Sequence, residues 1–369
     1  MTSGFAASAA IANSFVVKAI AQIDTCLETH VQTSAFSGNV VVARGSGPPV
    51  IRSYGLANRE HKVLNTSRTK FRIGSITKQI TAAAILHLQE KALLSTAAPV
   101  SAYLPDYPEG HRITLHHLLT HTAGIPDYLS PEQFPDIESW VRLPATLEQI
   151  VARFKDLPLV FNPGKAFLYS NSGYILLTQI IETVAGQPYA DYLQTHLFEP
   201  LGMKNTGYEM PGTVIPDLAQ GYCFVDQNTY LSAEPISMEL PQGAGGLYST
   251  IGDLVIWQQW LYGAASKQKL LSPKLMNLMR EPFIAMDLAR ESLDAFYGYG
   301  LVHDTHLGYQ LVYHSGRING FSTTLAYYPE EKLTIGVLSN LENSLPEKIV
   351  EALATRFFSR LSQASSKPA

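Results

Sequence analysis

Apolar residues recur along this chain with two distinct periods. Phe15, Val16, Ile20, Ile23 and Leu27 keep spacings of about three or four and predict a helix over residues 12–33. Gly38 to Arg44 and Val50 to Gly55 are short apolar runs flanking a Gly-Ser-Gly-Pro-Pro turn and read as two strands. Helical spacing returns from Ser75 to Lys91 through Ile76, Ile80, Ala83 or Ala84, and Leu88. Leu115 to Leu119, Thr146 to Phe154, and Gly173 to Val184 before Ala185-Gly186 continue the helical character, so residues 86–240 read as mostly helices and loops. Ile251 to Tyr262 is a further helix, with Leu254, Trp257 and Leu261 on one side. Strands are predicted at Gly300 to Val302, Tyr309 to His314, Ser322 to Tyr328 and Leu333 to Ser339. A last helix covers Leu345 to Leu361, and Ser362 to Ala369 reads as a frayed tail.

Strands at both ends and helices between them predict an α+β fold. One antiparallel sheet is built from both ends of the chain and flanked by helices, with a mostly helical lobe inserted. The expected division is a single unit over residues 1–369. Its α/β lobe comes from about 1–85 plus 240–369, and its helical lobe from about 86–239.

Composition narrows the function classes. The chain has 369 residues, 46% of them hydrophobic and 16% charged, with a net charge of −4, so it can build a large core. It has no basic block of the kind that binds nucleic acid and no apolar run long enough to span a membrane. Cys26 and Cys223 lie far apart and predict two buried thiols rather than a disulfide framework or a metal site. No Lys or Arg precedes Lys18, so a secretory signal's basic start is missing. The expectation is a cytoplasmic protein, or one whose signal has been removed to leave it periplasmic or secreted.

Three short motifs carry candidate chemistry. Ser75-Ile76-Thr77-Lys78 places a hydroxyl and an amine three residues apart, hence on one helix face. A serine needs a base beside it to become a nucleophile, and a lysine serves only where burial or nearby positive charge lowers its pKa. The same four residues also describe an N-cap serine followed by a solvated lysine. Tyr169-Ser170-Asn171 precedes the helix from Gly173 and reads as a loop. There the phenol can do acid/base work and the amide can orient the lysine or a substrate; the alternative is a plain turn. His314-Ser315-Gly316 closes an apolar strand. The glycine admits another backbone, so a substrate can pair along the strand edge; otherwise His314 is an ordinary strand-end histidine. His117 and His121 have a spacing that suits a metal, but without an acidic or cysteine partner they read as capping or packed residues. Tyr208, Met210, Tyr222, Phe224 and Tyr230 either line an acyl pocket or pack as ordinary loop residues.

The ordered set Ser-x-x-Lys, Tyr-x-Asn and His-Ser-Gly resembles the serine β-lactamase-like superfamily, which includes class C β-lactamases, D-alanyl-D-alanine peptidases, D-aminopeptidases and β-lactamase-like carboxylesterases. Leu118-Leu119-Thr120-His121-Thr122-Ala123-Gly124-Ile125-Pro126, Phe161-Asn162-Pro163-Gly164, Pro200-Leu201-Gly202-Met203 with Thr206, and Gly245-Gly246-Leu247 with Ser249 and Asp253 are similar to that family's signatures. The likeness covers about residues 35–345.

The resemblance implies that Ser75 is the acylated nucleophile and that Lys78 and Tyr169 share the acid/base work. It implies that Asn171, His314, Ser315, Gly316 and Arg317 bind substrate, with the N–H groups of Ser75 and Arg317 as the oxyanion hole. No cofactor and no metal are called for. His314 stands where many relatives have lysine, and an imidazole of ordinary pKa is partly charged at neutral pH. Arg317 is a candidate to supply the missing charge. The leading expectation is a carboxylesterase. D-peptidase and β-lactamase activities are alternatives, and a non-catalytic protein keeping the fold is the rival from another class. The small-molecule partners are thus an ester, a D-peptide or a β-lactam, and the oligomeric state stays open.

Overall fold

The computed structural model describes residues 16–28, 35–226, 229–263, 269–286 and 295–365, with side chains described as far as residue 358. Helix α1 covers 16–28, so the flanks of the longer helix predicted there lie outside the described residues. Strands β1 (Gly38–Arg44) and β2 (Val50–Tyr54) follow, joined across the predicted turn. Among the described residues they complete an eight-stranded antiparallel sheet with strands from the far end of the chain. These are β3 (Ile284–Ala285), β4 (Phe296–Tyr297), β5 (Val302–His306), β6 (Tyr309–Ile318), β7 (Phe321–Tyr328) and β8 (Leu333–Ser339), in spatial order β3-β4-β5-β6-β7-β8-β1-β2.

Both faces of the sheet are covered, which explains why β1 is apolar at successive positions. Val41 and Ala43 face a large core that includes Ile80, Leu254, Trp257, Leu325 and Leu338. Val40 and Val42 face a second core with Ala19, Ile23 and Leu27 of α1 and Leu353, Ala354 and Phe357 of the C-terminal helix α5 (Pro346–Ser365). A strand with one wet face would alternate; this one is buried on both sides at 0–2% exposure from Val40 to Ala43. The helix α5 runs on to Ser365, so the expected fraying from Ser362 is not seen there.

Helix α2 (Thr77–Glu90) carries the Ser-x-x-Lys lysine and is buried over nearly its whole length. It packs against helix α3 (Asn171–Ala185). Helix α4 (Ile251–Tyr262) matches its predicted bounds, and its Trp257 is fully buried with Nε1 donating to Gln79 Oε1 at 2.8 Å. A three-stranded sheet of Phe71–Arg72, Leu247–Ser249 and Gly207–Tyr208 fixes the Gly245-Gly246-Leu247 segment beside the Ser75 turn. Arg72 clamps it with a bidentate pair of 2.7 Å bonds to Glu209.

Four expectations change. The strand predicted at Gly300 to Val302 begins at Val302, because Gly300 sits at φ 70° in a turn. A Cβ on Gly300 would lie 2.7 Å from the backbone of Lys78 and Gln79, so this position must stay bare. Strand β6 does not end at His314 but continues to Ile318, since Ser315, Gly316 and Arg317 pair with Thr324, Thr323 and Ser322. The central region is not all helix and loop: Tyr222–Asp226 and Thr229–Ser232 form a hairpin. Cys26 and Cys223 are free and half-buried rather than buried.

No helix among the described residues is long and apolar enough to cross a membrane.

Candidate active site

Ser75 lies in a tight 3-10 turn, Gly74–Ile76, that feeds directly into α2. Gly74 adopts φ 50°, which turns the chain sharply out of Phe71–Arg72 and into the helix. The serine is half-exposed while Gly74 and Ile76 are buried, so the hydroxyl is presented to a cleft and its neighbours anchor it.

Lys78 is completely buried. Its Nζ contacts Ser75 Oγ at 3.1 Å and donates to Asn171 Oδ1 and the Ala244 carbonyl, each at 2.8 Å. Burial pushes its pKa down to about 7, against the opposing pull of the Asp127 carboxylate. The solvated-lysine alternative is thereby removed. The amine also lies 4.7 Å from the centre of the Tyr169 ring.

Asn171 is not on a loop as predicted; it opens helix α3. Its amide is oriented by both ends: Oδ1 accepts from Lys78 and Nδ2 donates to Asp127 Oδ2 at 2.9 Å. Asp127 also accepts from the Leu129 N–H, and burial raises its pKa. The sequence reading missed Asp127 and the Ala244 carbonyl. Asp127 directly follows the Gly124-Ile125-Pro126 segment, a turn signal that gave no hint of a lysine across the cleft.

Tyr169 is half-exposed, and burial of its phenol holds the pKa well above the usual value, with a hydrogen bond to Ser75 acting the other way. It is therefore a neutral phenol at physiological pH. The ring packs against His121, with centroids 4.2 Å apart and the planes tilted by 34°.

His314 lies on β6 with its ring 6.3 Å from that of Tyr169, and its surroundings run against the expectation of a partly charged imidazole. It is buried, and burial together with the nearby Lys78 lowers its pKa to about 3. Its Nδ1 faces the Ser315 carbonyl at 2.6 Å and its Nε2 faces Tyr297 Oη at 3.0 Å.

Ser315 and Arg317 both have partners of their own. The Ser315 hydroxyl pairs with Thr324 Oγ1 at 3.0 Å across β6 and β7. The Arg317 guanidinium does not replace a cation in the cleft, because it points to Glu347 of α5 at 3.8 Å and is 59% exposed. Successive side chains on a strand alternate faces, so His314 and Arg317 cannot both look into the cleft.

Gly316 is bare for a different reason from the one expected. The backbone that approaches it is the chain's own: a Cβ there would lie 1.9 Å from the Ile73 carbonyl and 2.6 Å from Thr323 Oγ1. A Cβ on Gly74 would likewise meet the Arg317 nitrogen at 2.8 Å. The Ser75 turn is thus pressed directly onto the end of β6. Gly316→Ala should unseat this contact, lowering stability by about 1–3 kcal/mol and impairing activity far more than that loss of stability accounts for. Denaturant melts run beside initial-rate assays would check both.

The histidines at 117 and 121 do not form a pair. His117 completes a capping box with Thr114 at the start of Leu115–Leu119, and His121 Nε2 lies 3.2 Å from Tyr297 Oη. No cluster of three or more His, Cys, Asp or Glu suited to a metal occurs among the described residues. Three of the aromatic candidates have partners of their own within the protein, while Met210 is exposed. Tyr208 donates to the Met238 carbonyl, Tyr222 bonds the Arg59 N–H and Glu60, and Arg59 lies over the Tyr230 ring.

The sheet with helices on both faces and a half-exposed Ser75 set against the buried Lys78 defines a class of protein, and comparisons agree with it. The family model described as Beta-lactamase matches residues 23–358, and the chain belongs to this family, the serine β-lactamase and penicillin-binding protein superfamily. A penicillin-binding protein of Bacillus subtilis is 30% identical over 87% of this chain and 71% of its own length. The teichoic acid D-alanine hydrolase of Staphylococcus aureus is 28% identical over 73% of this chain and 64% of its own length. The crystal structure of a penicillin-binding protein from Bacillus halodurans superposes with a TM-score of 0.76 at 28% identity, covering 90% of this chain and 97% of that one. The fold is thus the α+β penicillin-binding protein fold, and membership of this family of serine hydrolases supports hydrolase activity.

Proposed function

We propose that this protein cleaves esters, and amides more slowly, through an acyl-enzyme on Ser75, with uncharged carboxylic esters as its preferred substrates. One observation carries the reading. A neutral lysine has two hydrogens, and Lys78 has two carbonyl acceptors at 2.8 Å, Asn171 Oδ1 and Ala244 O. The remaining lone pair faces Ser75 Oγ at 3.1 Å. Two hydrogens on two fixed acceptors leave the amine one direction in which to accept a proton, and it is that of the nucleophile.

The chemistry follows from the two acid–base groups. Lys78, near pKa 7, takes the Ser75 proton as Oγ bonds to the substrate carbonyl carbon. The N–H groups of Ser75 and Arg317 receive the developing oxyanion. Tyr169, a protonated phenol, gives its proton to the leaving oxygen or nitrogen and is reprotonated from Lys78. Water then attacks the acyl-enzyme with the same pair working in reverse, releasing the acid and restoring Ser75. Tyr169 cannot be the resting base, because its burial keeps the proton on.

Substrate charge decides among the alternatives. A D-alanyl-D-alanine peptide or a β-lactam presents a carboxylate, and its partner here would have to be His314 or Arg317. The first is neutral and the second faces Glu347. An ester without a carboxylate meets no such deficit. D-aminoacyl esters also lack a carboxylate, which fits the name of the Staphylococcus aureus relative. The non-catalytic alternative is disfavoured because a scaffold needs neither a buried lysine nor its oriented acceptors.

The test combines covalent trapping with a substrate panel. A fluorophosphonate should leave its mass on Ser75. Initial rates should fall in the order p-nitrophenyl ester, D-alanine p-nitroanilide, nitrocefin and D-alanyl-D-alanine peptide. No adduct on a folded protein would sink the enzyme reading, and faster turnover of nitrocefin than of the esters would sink the preference.

A further inference from the structure

The two ends of a side-chain amide have the same shape, so the orientation of Asn171 is set by what each end meets. One end meets Lys78 Nζ at 2.8 Å and the other meets Asp127 Oδ2 at 2.9 Å. A neutral lysine does not choose between them. It can donate a hydrogen to Oδ1, or accept one from Nδ2 on its lone pair. An ionised carboxylate does choose, because it only accepts. Burial raises the pKa of Asp127, but the Leu129 N–H at 3.1 Å, the backbone and side-chain N–H groups of Asn171 and the Lys78 amine all favour its ionised form.

The consequence falls on Ser75. The Ala244 carbonyl takes one lysine hydrogen whatever Asn171 does. With Oδ1 toward the lysine, the second hydrogen goes to Asn171 and the lone pair faces Ser75 Oγ at 3.1 Å. With Nδ2 toward it, the amide would occupy the lone pair and the second hydrogen would point at Ser75. The base would then donate to the hydroxyl it has to deprotonate. Asp127 is itself held in place by the helix that carries Asn171. Ser172, in the first turn of α3, accepts from the Tyr128 N–H at 2.9 Å and donates to the Pro126 carbonyl at 2.7 Å, which ties down both neighbours of Asp127. Ser170 makes no side-chain capping bond, and Asp127 accepts from the first N–H of the helix in its stead.

We propose that Asp127 is a positioning residue that locks the Asn171 amide and so aims the lone pair of neutral Lys78 at Ser75. The inference rests on the acyl-enzyme reading of Ser75 for its effect on rate, but not for the orientation of the amide. Asp127 also supplies the charge that acts on Lys78. The phenols of Tyr128, Tyr169 and Tyr174 and the imidazoles of His121 and His314 around the pair are neutral, since burial raises the former and lowers the latter. Loss of the carboxylate would leave the ammonium without its anion, and an Nδ2 turned toward it would oppose it further. Both effects make Lys78 easier to deprotonate, while the amide takes the lone pair away from Ser75.

Two measurements on the whole protein separate orientation from catalysis. In wild type, the side-chain amide of Asn171, assigned by proton–nitrogen NMR through Asn171→Ala, should keep one hydrogen shifted downfield by its carboxylate bond. It should do so across the range in which Lys78, with its pKa of about 7, loses its proton. An amide that gives up that hydrogen bond as the lysine deprotonates is steered by the lysine, and would overturn the proposal. The second measurement is kcat/KM for p-nitrophenyl acetate against pH in Asp127→Asn, which keeps the size and replaces an acceptor by a donor. The high-pH plateau should fall at least about tenfold. The rising limb should move to lower pH, so that the deficit narrows on acidification. In a Lys78→Ala background the same substitution should cost less than about threefold, since no lone pair is left to aim. An equal loss in both backgrounds, an unmoved limb, or a plateau close to wild type would overturn the proposal. The wild-type spectra decide it if Asp127→Asn does not fold. A locked amide in a protein whose Ser75 takes no fluorophosphonate would instead overturn the acyl-enzyme reading and leave the hold of Asp127 on Asn171 standing.

Discussion

Ser75→Ala should abolish ester hydrolysis, with kcat falling by about 10⁴–10⁶-fold, and should abolish covalent labelling, while leaving the fold in place. On the proposed mechanism the loss is large because the hydroxyl is the group to be acylated, and among the described residues no other serine is hydrogen-bonded to the Lys78 amine. The fold should hold because Lys78 keeps both of its 2.8 Å acceptors, Asn171 Oδ1 and the Ala244 carbonyl. Intact-mass spectrometry after fluorophosphonate treatment and thermal melts read the two halves separately. Turnover within about tenfold of wild type would mean that another residue is the nucleophile.

Lys78 should set the pH dependence. Its pKa is lowered to about 7, and the base must be neutral to take the Ser75 proton. Activity should therefore rise with pH through about 7 and level off above it, because the ammonium form that dominates below that pH is inactive. Lys78→Ala should cut kcat by about 10²–10⁴-fold and erase this limb. If Tyr169 relays the proton that Lys78 takes, as proposed, Tyr169→Phe and the double variant should fall by similar factors rather than by the product. Multiplicative losses would show two independent groups, and a limb that survives in Lys78→Ala would assign the titration elsewhere. His314 is a poor candidate for that limb, since its pKa of about 3 lies below the working range.

Much of this was readable along the chain. Helix α4 and strands β1 and β8 match their predicted bounds because each is a continuous or periodic apolar run facing a core. The Ser75–Lys78 contact followed from helical spacing alone, and burial of the amine supplied the missing condition. The misplaced ends share one cause. Strand β6 runs past His314 because Phe321 to Thr324 is there to pair with it, and Asn171 is helical because α3 starts against the Asp127 turn. Local propensity carries no information about either partner.

Periodicity by itself predicted the α+β architecture and the Ser75–Lys78 approach, since helix geometry brings residues three apart together in any context, while Tyr169 and Asn171 were named through the family resemblance that the order of the motifs carries. The tertiary structure alone decided the charge of His314, the direction of Arg317, the close approach that keeps Gly316 bare, and the parts played by Asp127, Tyr297 and the Ala244 carbonyl. These depend on burial and on groups distant in sequence: Lys78 and Ala244 are 166 residues apart and in contact at 2.8 Å. A histidine in a sequence has an ordinary pKa; the same histidine buried on β6 and beside Lys78 has lost the water that would solvate its charge.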